Sequence, residues 1–266
     1  MEYIKAIILG VVEGITEFLP ISSTGHLILV NEWISFSKEF TEIFDVFIQL
    51  GAVFAVLVYF RAKLNPFSKN KNKMEKKNSL QLWYKSILGV MPALVIGALF
   101  GKEITANLFN PVVVAIALFI GGIILILVEK RKTYAEVNTV VGITYGKAFL
   151  VGIIQCLAMI PGTSRSAATI IGAMLLGTSR VAAVEFSFFL AIPTMFAASA
   201  YSFLKIGFHF SSQDLLLLAT GFVTSFLVAL LLIAGFMNYI TKNNFKPFGY
   251  YRIILGFIVL LYFIQR

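Results

Sequence analysis

The stretch Pro111–Val128 reads PVVVAIALFIGGIILILV and contains no charged residue. A run of this length and apolarity predicts a helix that crosses a membrane, since a bilayer core requires about 20 such residues. Five further runs are similar: Ile43–Phe60, Tyr84–Phe100, Val181–Leu204, Leu215–Tyr239 and Phe248–Ile264. They are too long for barrel strands and lack the alternation of barrel strands. We therefore predict an all-α polytopic membrane protein with six full transmembrane helices.

The overall composition supports this class. Of the 266 residues, 59% are hydrophobic and 13% are charged, whereas soluble domains contain roughly 45–50% and about 25%. A soluble protein of this size could not bury so much apolar surface, and the composition also excludes a disordered chain and a disulfide-stapled secreted module. The single cysteine, Cys156, allows no internal disulfide and leaves the redox compartment undetermined.

Two further segments, Met1–Phe36 and Tyr145–Ser179, are apolar but are interrupted near their middle. The interruptions are Pro20–His26 (PISSTGH) and Pro161–Ser166 (PGTSRS). Proline cannot donate to the helical ladder, and Ser/Thr clusters offer the backbone other partners. Each segment is therefore predicted to be a re-entrant pair of half-helices that meet at a break. Such breaks are tolerated at membrane depth only inside protein or along a wet cavity.

The distribution of Lys and Arg predicts the orientation. The linker Arg61–Lys85 holds eight basic residues and the linker after Val128 holds four, whereas the short connections near residues 38–42, 102–109 and 205–213 hold one each. Basic linkers stay in the cytoplasm, so both chain ends are expected outside it. We therefore attribute the net charge of +9 to basic linkers that set the membrane orientation and attract anionic lipids. No nucleic-acid partner is expected. The run Lys69–Lys77 is expected to form a mobile loop.

The two halves of the chain contain similar short motifs in the same order. Gly10–Glu13 (GVVE) is followed by Ser22–Thr24 (SST), as Gly152–Gln155 (GIIQ) is followed by Ser164–Ser166 (SRS). Each half holds one broken segment and three spans, and an odd number of spans inverts the second half. This pattern predicts an inverted-topology repeat, in which the two breaks can meet near the midplane.

The repeat gives the predicted domain organisation. Residues 1–128 form the first repeat, residues 129–144 form a cytoplasmic linker, and residues 145–266 form the second, inverted repeat.

Glu13 and Glu17 are four residues apart and so share one helix face. Carboxylates within an apolar segment are costly and usually mark a site. Such a pair can hold a divalent cation, position water or share a proton. The alternative interpretation is that both side chains snorkel to the membrane interface.

A compact polar group follows the first break. It contains Ser22, Ser23, Thr24 and His26. One hydroxyl is expected to cap the next half-helix. The histidine is interpreted as an acid–base group, with a satisfied core histidine as the alternative. The other histidine, His209, is assigned no role.

Arg165 lies between Ser164 and Ser166 in the second break. A guanidinium at this depth needs an anion. A phosphate held at a helix N-terminus would fit, and the alternative partner is a protein carboxylate such as Glu185. The following phenylalanine-rich run, Phe186–Phe189, is interpreted as lipid-facing.

The two motifs resemble a known family. Glu13–His26 (EGITEFLPISSTGH) and Pro161–Ser166 resemble the two signatures of the undecaprenyl pyrophosphate phosphatases, bacterial lipid phosphatases linked to bacitracin resistance. The resemblance extends over essentially the whole chain. One departure is Ala167, where the family usually has glycine; the added methyl group removes no chemical group.

The resemblance implies hydrolysis of undecaprenyl pyrophosphate to undecaprenyl phosphate, the carrier lipid of peptidoglycan synthesis. It also implies a bacterial cytoplasmic-membrane enzyme whose active site faces the outer side and which needs a divalent cation, Mg or Ca. The expected partners are the isoprenyl pyrophosphate lipid and membrane lipids. The oligomeric state is left open, a homo-oligomer included.

The expected residue roles combine the resemblance with the chemistry of the side chains. Expected catalytic residues are Glu13, Glu17, Ser23, His26 and Arg165, of which Glu13 and Glu17 also hold the metal. Expected substrate-binding residues are Ser22, Thr24, Thr163, Ser164 and Ser166. Ser23 is the candidate nucleophile with His26 as its proton-transfer partner. Direct attack by water, positioned by Glu17 or His26, is the alternative.

Two other classes of function fit parts of the pattern. Inverted repeats with broken helices are typical of secondary transporters, and the same site could flip a lipid. A structural membrane subunit would need none of these polar groups. A glutamate pair, hydroxyls, histidine and arginine that converge on one site favour the enzyme.

Overall fold

The computed structural model describes residues 1–131, 135–206 and 210–264. This part of the chain is helical, and its residues form no β-strand beyond an isolated bridge between Val137 and Thr178. The helices are α1 (Glu2–Thr16), α2 (Ser23–Val30), α3 (Lys38–Tyr59), α4 (Arg61–Leu64), α5 (Lys73–Leu108), α6 (Pro111–Lys130), α7 (Tyr145–Gln155), α8 (Arg165–Leu175), α9 (Arg180–Ile206), α10 (Ser212–Lys242) and α11 (Lys246–Ile264).

The six predicted spans are confirmed as α3, α5, α6, α9, α10 and α11, which are long and apolar enough to cross a bilayer. Their outward faces carry large apolar side chains, such as Ile120 on α6, Leu231 on α10 and Ile254 on α11. A soluble fold would bury such side chains, whereas a lipid-facing surface favours them. The chain is therefore a multi-pass membrane protein.

Both predicted interruptions are present, as the gap between α1 and α2 and the gap between α7 and α8. Ser22 and Ser164 end the two breaks, and both have a left-handed backbone with φ of 73° and 69°. Each side chain caps the following helix, because Ser22 Oγ accepts from the Gly25 amide at 3.3 Å and Ser164 Oγ accepts from the Ala167 amide at 3.2 Å. The breaks therefore end earlier than predicted, and Ser23 already belongs to α2.

Glycines allow the helices to approach closely. A Cβ atom on Gly10 of α1 would lie 2.8 Å from the Gly221 carbonyl of α10. A Cβ atom on Gly152 of α7 would lie 2.1 Å from the Gly89 carbonyl of α5. The pairs α1–α10 and α5–α7 are those that an inverted repeat would make equivalent, although the repeat itself stays a prediction.

The phenylalanine-rich run lies in the core, so the interpretation of a lipid-facing run is wrong. Phe186, Phe188 and Phe189 are at most 1% exposed. The reason is that α9 packs against α3, α5 and α8 at once. Phe188 meets the ring of Phe18 edge to face, with 5.0 Å between the centroids. This contact places apolar bulk directly beside the first break.

The run Lys69–Lys77 does not form the expected mobile loop. Residues from Lys73 onward belong to α5, whose N-terminus has a reciprocal capping box between Asn72 and Glu75. Before it, the Lys71 ammonium donates to the Asn65 carbonyl at 2.8 Å. Strong helix formers after a good cap explain why the helix extends beyond the apolar run. In the second predicted cytoplasmic linker, residues 132–134 lie outside the described residues.

Candidate functional site

The two breaks lie against each other. Arg165, the first residue of α8, donates from Nη2 to Oε1 of Glu17 in the first break at 2.7 Å. Ser166 Oγ donates to the Leu19 carbonyl at 2.8 Å. Both side chains of the ion pair are less than one-tenth exposed. The prediction that the breaks share one site agrees with this contact.

The second carboxylate oxygen of Glu17 binds a hydroxyl. Ser23 Oγ donates to Glu17 Oε2 at 2.8 Å, and both residues are buried. Ser23 is the first residue of α2, where free amides and the helix dipole favour negative charge. A hydroxyl on a carboxylate at a helix N-terminus is an arrangement suited to a nucleophile and its base. Glu17 thus bridges Ser23 and Arg165.

No hydrogen bond joins His26 to Ser23 among the described residues, so the expected proton-transfer pair is not formed in this arrangement. Its Nδ1 lies 2.7 Å from the Ser22 carbonyl and its Nε2 lies 2.7 Å from the Tyr251 hydroxyl. A carbonyl can only accept, so Nδ1 carries a proton and the tyrosine O–H donates to Nε2 of the neutral ring. In this arrangement His26 holds the backbone of Ser22 and packs on the Tyr251 ring.

Glu13 lies one helical turn before Glu17 and is completely buried. Neither of its carboxylate oxygens has a hydrogen-bond partner among the described atoms. Glu17 is buried as well, with 5% of its surface exposed. The alternative in which both glutamates snorkel to the membrane interface is therefore wrong. A buried carboxylate without a partner is costly unless it binds a proton or a cation accompanies it.

This pair fits a divalent cation. Mg²⁺ in phosphoryl-transfer sites is commonly bound by one or two carboxylates plus phosphate oxygens and water. No group of three or more His, Cys, Asp or Glu side chains occurs in the described parts of the chain. Glu13 and Glu17 would accordingly hold the ion only together with the substrate and water.

Arg165 keeps donors for an anion. Its Nη1 donates to the Ser187 carbonyl at 3.0 Å, and the guanidinium lies over the Phe18 ring. Its Nε is buried and has no partner within the described structure. The alternative, in which a protein carboxylate is the partner of Arg165, is met by Glu17 and not by Glu185, whose carboxylate pairs with Lys63 instead.

Two serines of the second break, Ser164 and Ser166, have protein partners, and their expected role in substrate binding stays a prediction. The single proton of Ser166 goes to the Leu19 carbonyl. In the 3.0 Å contact between the two hydroxyls, Ser164 must therefore be the donor. In this arrangement both protons are directed at protein acceptors, and both side chains stabilise the break.

The remaining expected substrate-binding hydroxyls are better placed. Thr24 and Thr163 are half-buried, and no hydrogen bond of their hydroxyls is found within the described residues. Ser22 Oγ accepts from an amide but keeps its own proton. These three hydroxyls flank the Glu17–Arg165 pair along the sequence and can donate to phosphate oxygens.

Two residues of α11 lie at the site although the sequence motifs did not predict them. Tyr251 binds His26, and Arg252 is completely buried next to both breaks. A charged residue inside an apolar span is itself a signal of a functional role, and Arg252 interrupts the span predicted over Phe248–Ile264. By contrast His209 lies outside the described residues.

Comparisons with known proteins give one consistent result. The model of the family described as "Bacitracin resistance protein BacA" matches residues 6–258. "Undecaprenyl-diphosphatase 1" of Clostridioides difficile (strain 630) is 54% identical over 99% of this chain and 97% of its own length. "Undecaprenyl-diphosphatase" of Enterococcus faecalis is 50% identical over 98% of this chain and 97% of its own length. The protein of the same name from Acetivibrio thermocellus is 49% identical over 99% of this chain and 98% of its own length.

Proposed function

Since this chain belongs to the bacitracin resistance protein BacA family, we propose that it hydrolyses undecaprenyl pyrophosphate to undecaprenyl phosphate and inorganic phosphate. The observation that carries the proposal is the Glu17 carboxylate, which accepts from the Ser23 hydroxyl on one oxygen and from Arg165 on the other. A nucleophile, its proton acceptor and an anion-binding group thus share one buried site. Relatives of nearly equal length carry the corresponding name.

The reaction begins with attack by Ser23. Its Oγ forms a bond to the terminal phosphorus as the bridging P–O bond breaks, and its proton passes to Glu17 Oε2. The leaving group is undecaprenyl phosphate, which departs as an anion without needing a proton from the protein. Water then hydrolyses the phosphoserine and releases inorganic phosphate. Direct attack by water, oriented by Glu17, remains the competing route.

Arg165 neutralises the charge of the transferring phosphoryl group. Its Nε–H and the remaining Nη hydrogens can bind two phosphate oxygens in parallel. Its existing bonds to Glu17 and to the Ser187 carbonyl hold the guanidinium in place before substrate arrives. Such preorganisation is favourable because phosphoryl transfer depends mainly on positioning and charge neutralisation.

A divalent cation, Mg or Ca, bound by Glu13 and Glu17 would supply further charge neutralisation on the pyrophosphate. The unpartnered oxygens of Glu13 support this assignment. Within the chain itself, Glu13 would hold the ion, whereas Glu17 would also orient Ser23.

We further propose that the site lies in the bacterial cytoplasmic membrane and faces its outer side; the predicted cytoplasmic position of the basic linkers supports this orientation. The lipid tail lies in the membrane. An apolar groove beside the first break, lined by Ile15, Leu19, Leu231, Phe236 and Phe248, suits an isoprenyl chain. Membrane lipids fill the remaining outer surface, and a homo-oligomer is compatible with this arrangement.

A transporter is the weaker candidate. A transport site must bind and release its ligand unchanged, and it has no need of a hydroxyl on a carboxylate beside an arginine. The hydrogen bonds of Ser23 and Arg165 to the same carboxylate favour a catalytic site over a transport site.

The proposal is tested by phosphate release from undecaprenyl pyrophosphate by the purified protein in detergent. We expect turnover that a chelator abolishes and that Mg or Ca restores, and a loss of at least about 100-fold in Glu17→Gln and Ser23→Ala. The control is Lys147→Ala, since Lys147 lies outside both breaks and pairs with the exposed Glu136. No release by the parent protein would contradict the proposed activity. Release that is unaffected by chelator would contradict only the cation.

A further inference from the structure

Arg252 of α11 is buried completely and binds four main-chain carbonyls. Two belong to α6, with distances of 3.2 Å to Ala117 and 3.4 Å to Leu118. The other two belong to the breaks, with distances of 3.3 Å to Pro20 and 3.2 Å to Gly162. One guanidinium therefore connects both breaks to the same helix.

The two break carbonyls occupy equivalent positions. Pro20 precedes the left-handed Ser22 by two residues, and Gly162 precedes the left-handed Ser164 by two residues. Both carbonyls lie outside any helix, so no helical ladder satisfies them. Arg252 thus binds the same point of each break, directly ahead of the two turns that place Ser23 and Arg165.

This arginine has no ion pair with a carboxylate within the described chain. A buried guanidinium without an anion is costly in a membrane protein. Here only carbonyl dipoles compensate for the charge. Stability alone is a weak reason to keep such a group, because a packed apolar side chain often serves stability as well or better.

The surrounding backbone is adapted to the guanidinium. A Cβ atom on Gly121 would lie 2.2 Å from Nη2 of Arg252. A Cβ atom on Gly162, whose φ is +89°, would lie 2.5 Å from the Val114 carbonyl of α6. The second break therefore rests directly on α6, and the missing side chain of Gly121 gives Arg252 the space to reach it.

We propose that Arg252 is a positioning residue that fixes the separation of the two breaks, and hence the placement of Arg165 relative to Ser23. This role rests on the function proposed above. The guanidinium is planar and its donors have a fixed spacing, so it can set a distance that a flexible ammonium cannot. Misplacement of reacting groups by about 1 Å can reduce a rate by about 100-fold.

The principal test is Arg252→Lys, which keeps the positive charge but loses the planar set of N–H donors of the guanidinium. We expect kcat for phosphate release to fall about 10- to 100-fold while KM changes less than about threefold. Gly121→Ala, which drives the guanidinium away from the breaks, should give the same division between kcat and KM. Matched controls are Arg180→Lys, whose parent pairs with Glu129, and Gly101→Ala, whose added Cβ meets no atom within 4 Å. Both controls should keep parental kcat.

A double variant separates positioning from a general loss of structure. If Arg252 acts through the placement of Arg165, adding Arg252→Lys to Arg165→Lys should lower kcat by less than about threefold further, whereas an independent structural effect would multiply the losses. Parental kcat in Arg252→Lys, multiplicative losses or failure of this variant to fold would each overturn the proposal. Normal turnover in Arg165→Lys alone would instead overturn the proposed site.

Discussion

Arg165 and Glu17 form the contact on which the site depends. The carboxylate lies on the first break and the guanidinium on the second, so the pair joins residues that are 148 positions apart in the chain. The same carboxylate accepts from Ser23. A substitution at either member therefore affects both the charge and the orientation of the hydroxyl.

The first prediction at this scale concerns Arg165→Lys. Lysine keeps the charge, but its three donors cannot serve Glu17, the Ser187 carbonyl and two phosphate oxygens at once, so the change is not conservative. If the guanidinium acts mainly in the transition state, kcat should fall about 100- to 1000-fold, by analogy with a lost oxyanion donor, and KM should change less. Steady-state phosphate release measures both.

The matched control is Glu185→Gln, because Glu185 pairs with Lys63 and not with Arg165. This variant should keep turnover within about threefold of the parent protein. An Arg165→Lys enzyme with near-parental kcat would refute the phosphate clamp. Equal damage from Glu185→Gln would point to charge balance as the role of the arginine.

At the scale of helices, close crossings depend on missing side chains. Gly152 of α7 approaches the Gly89 carbonyl of α5 so closely that an added Cβ would lie 2.1 Å from it. Backbone cannot rotate away as a side chain can, so the two helices would have to separate. The crossing is next to the second break, which connects helix packing to the geometry of the site.

We predict that Gly152→Ala lowers the free energy of unfolding by about 1–3 kcal/mol, since overpacking forces backbone shifts. Gly235→Ala in α10 is the control, because nothing lies within 4 Å of its added Cβ. Alanine there should be neutral or stabilising by up to about 1 kcal/mol, as alanine favours helix. Thermal unfolding in one detergent compares the two variants. A lower melting temperature for Gly235→Ala than for Gly152→Ala would contradict this account.

At the scale of the whole molecule, the basic residues gather where the helices leave the membrane on one side. Lys63 follows α3 in the short helix α4, and it pairs with Glu185 near the start of α9. Arg180 at the start of α9 pairs with Glu129 at the end of α6. These ion pairs therefore join the ends of three helices at the side predicted to be cytoplasmic.

Labelling of cysteines tests this orientation in intact cells. Asn70→Cys and Asn107→Cys, each in a Cys156→Ser background, place a thiol at exposed positions at opposite ends of α5. An impermeant maleimide should modify Asn107→Cys and should leave Asn70→Cys unmodified until the cells are permeabilised. The reverse pattern would show that the orientation is inverted.

The sequence by itself determined the class of protein, the six spans, the two breaks and most residues of the site. These features follow from local physical rules: apolar runs must cross lipid, proline and serine clusters end helices, and charges in apolar segments mark sites. The capping serines also follow from local sequence, although the left-handed backbone of Ser22 and Ser164 appears only in the structure.

Only the tertiary structure decided which polar groups meet. Ser23 pairs with Glu17, His26 pairs with Tyr251, and Arg252 joins the two breaks. Except for the first, these partners are at least 90 residues apart, so no local pattern could pair them. Burial of the phenylalanine run on α9 had the same cause, because an apolar side chain suits lipid and protein core equally. The choice between them depends on which helices surround it.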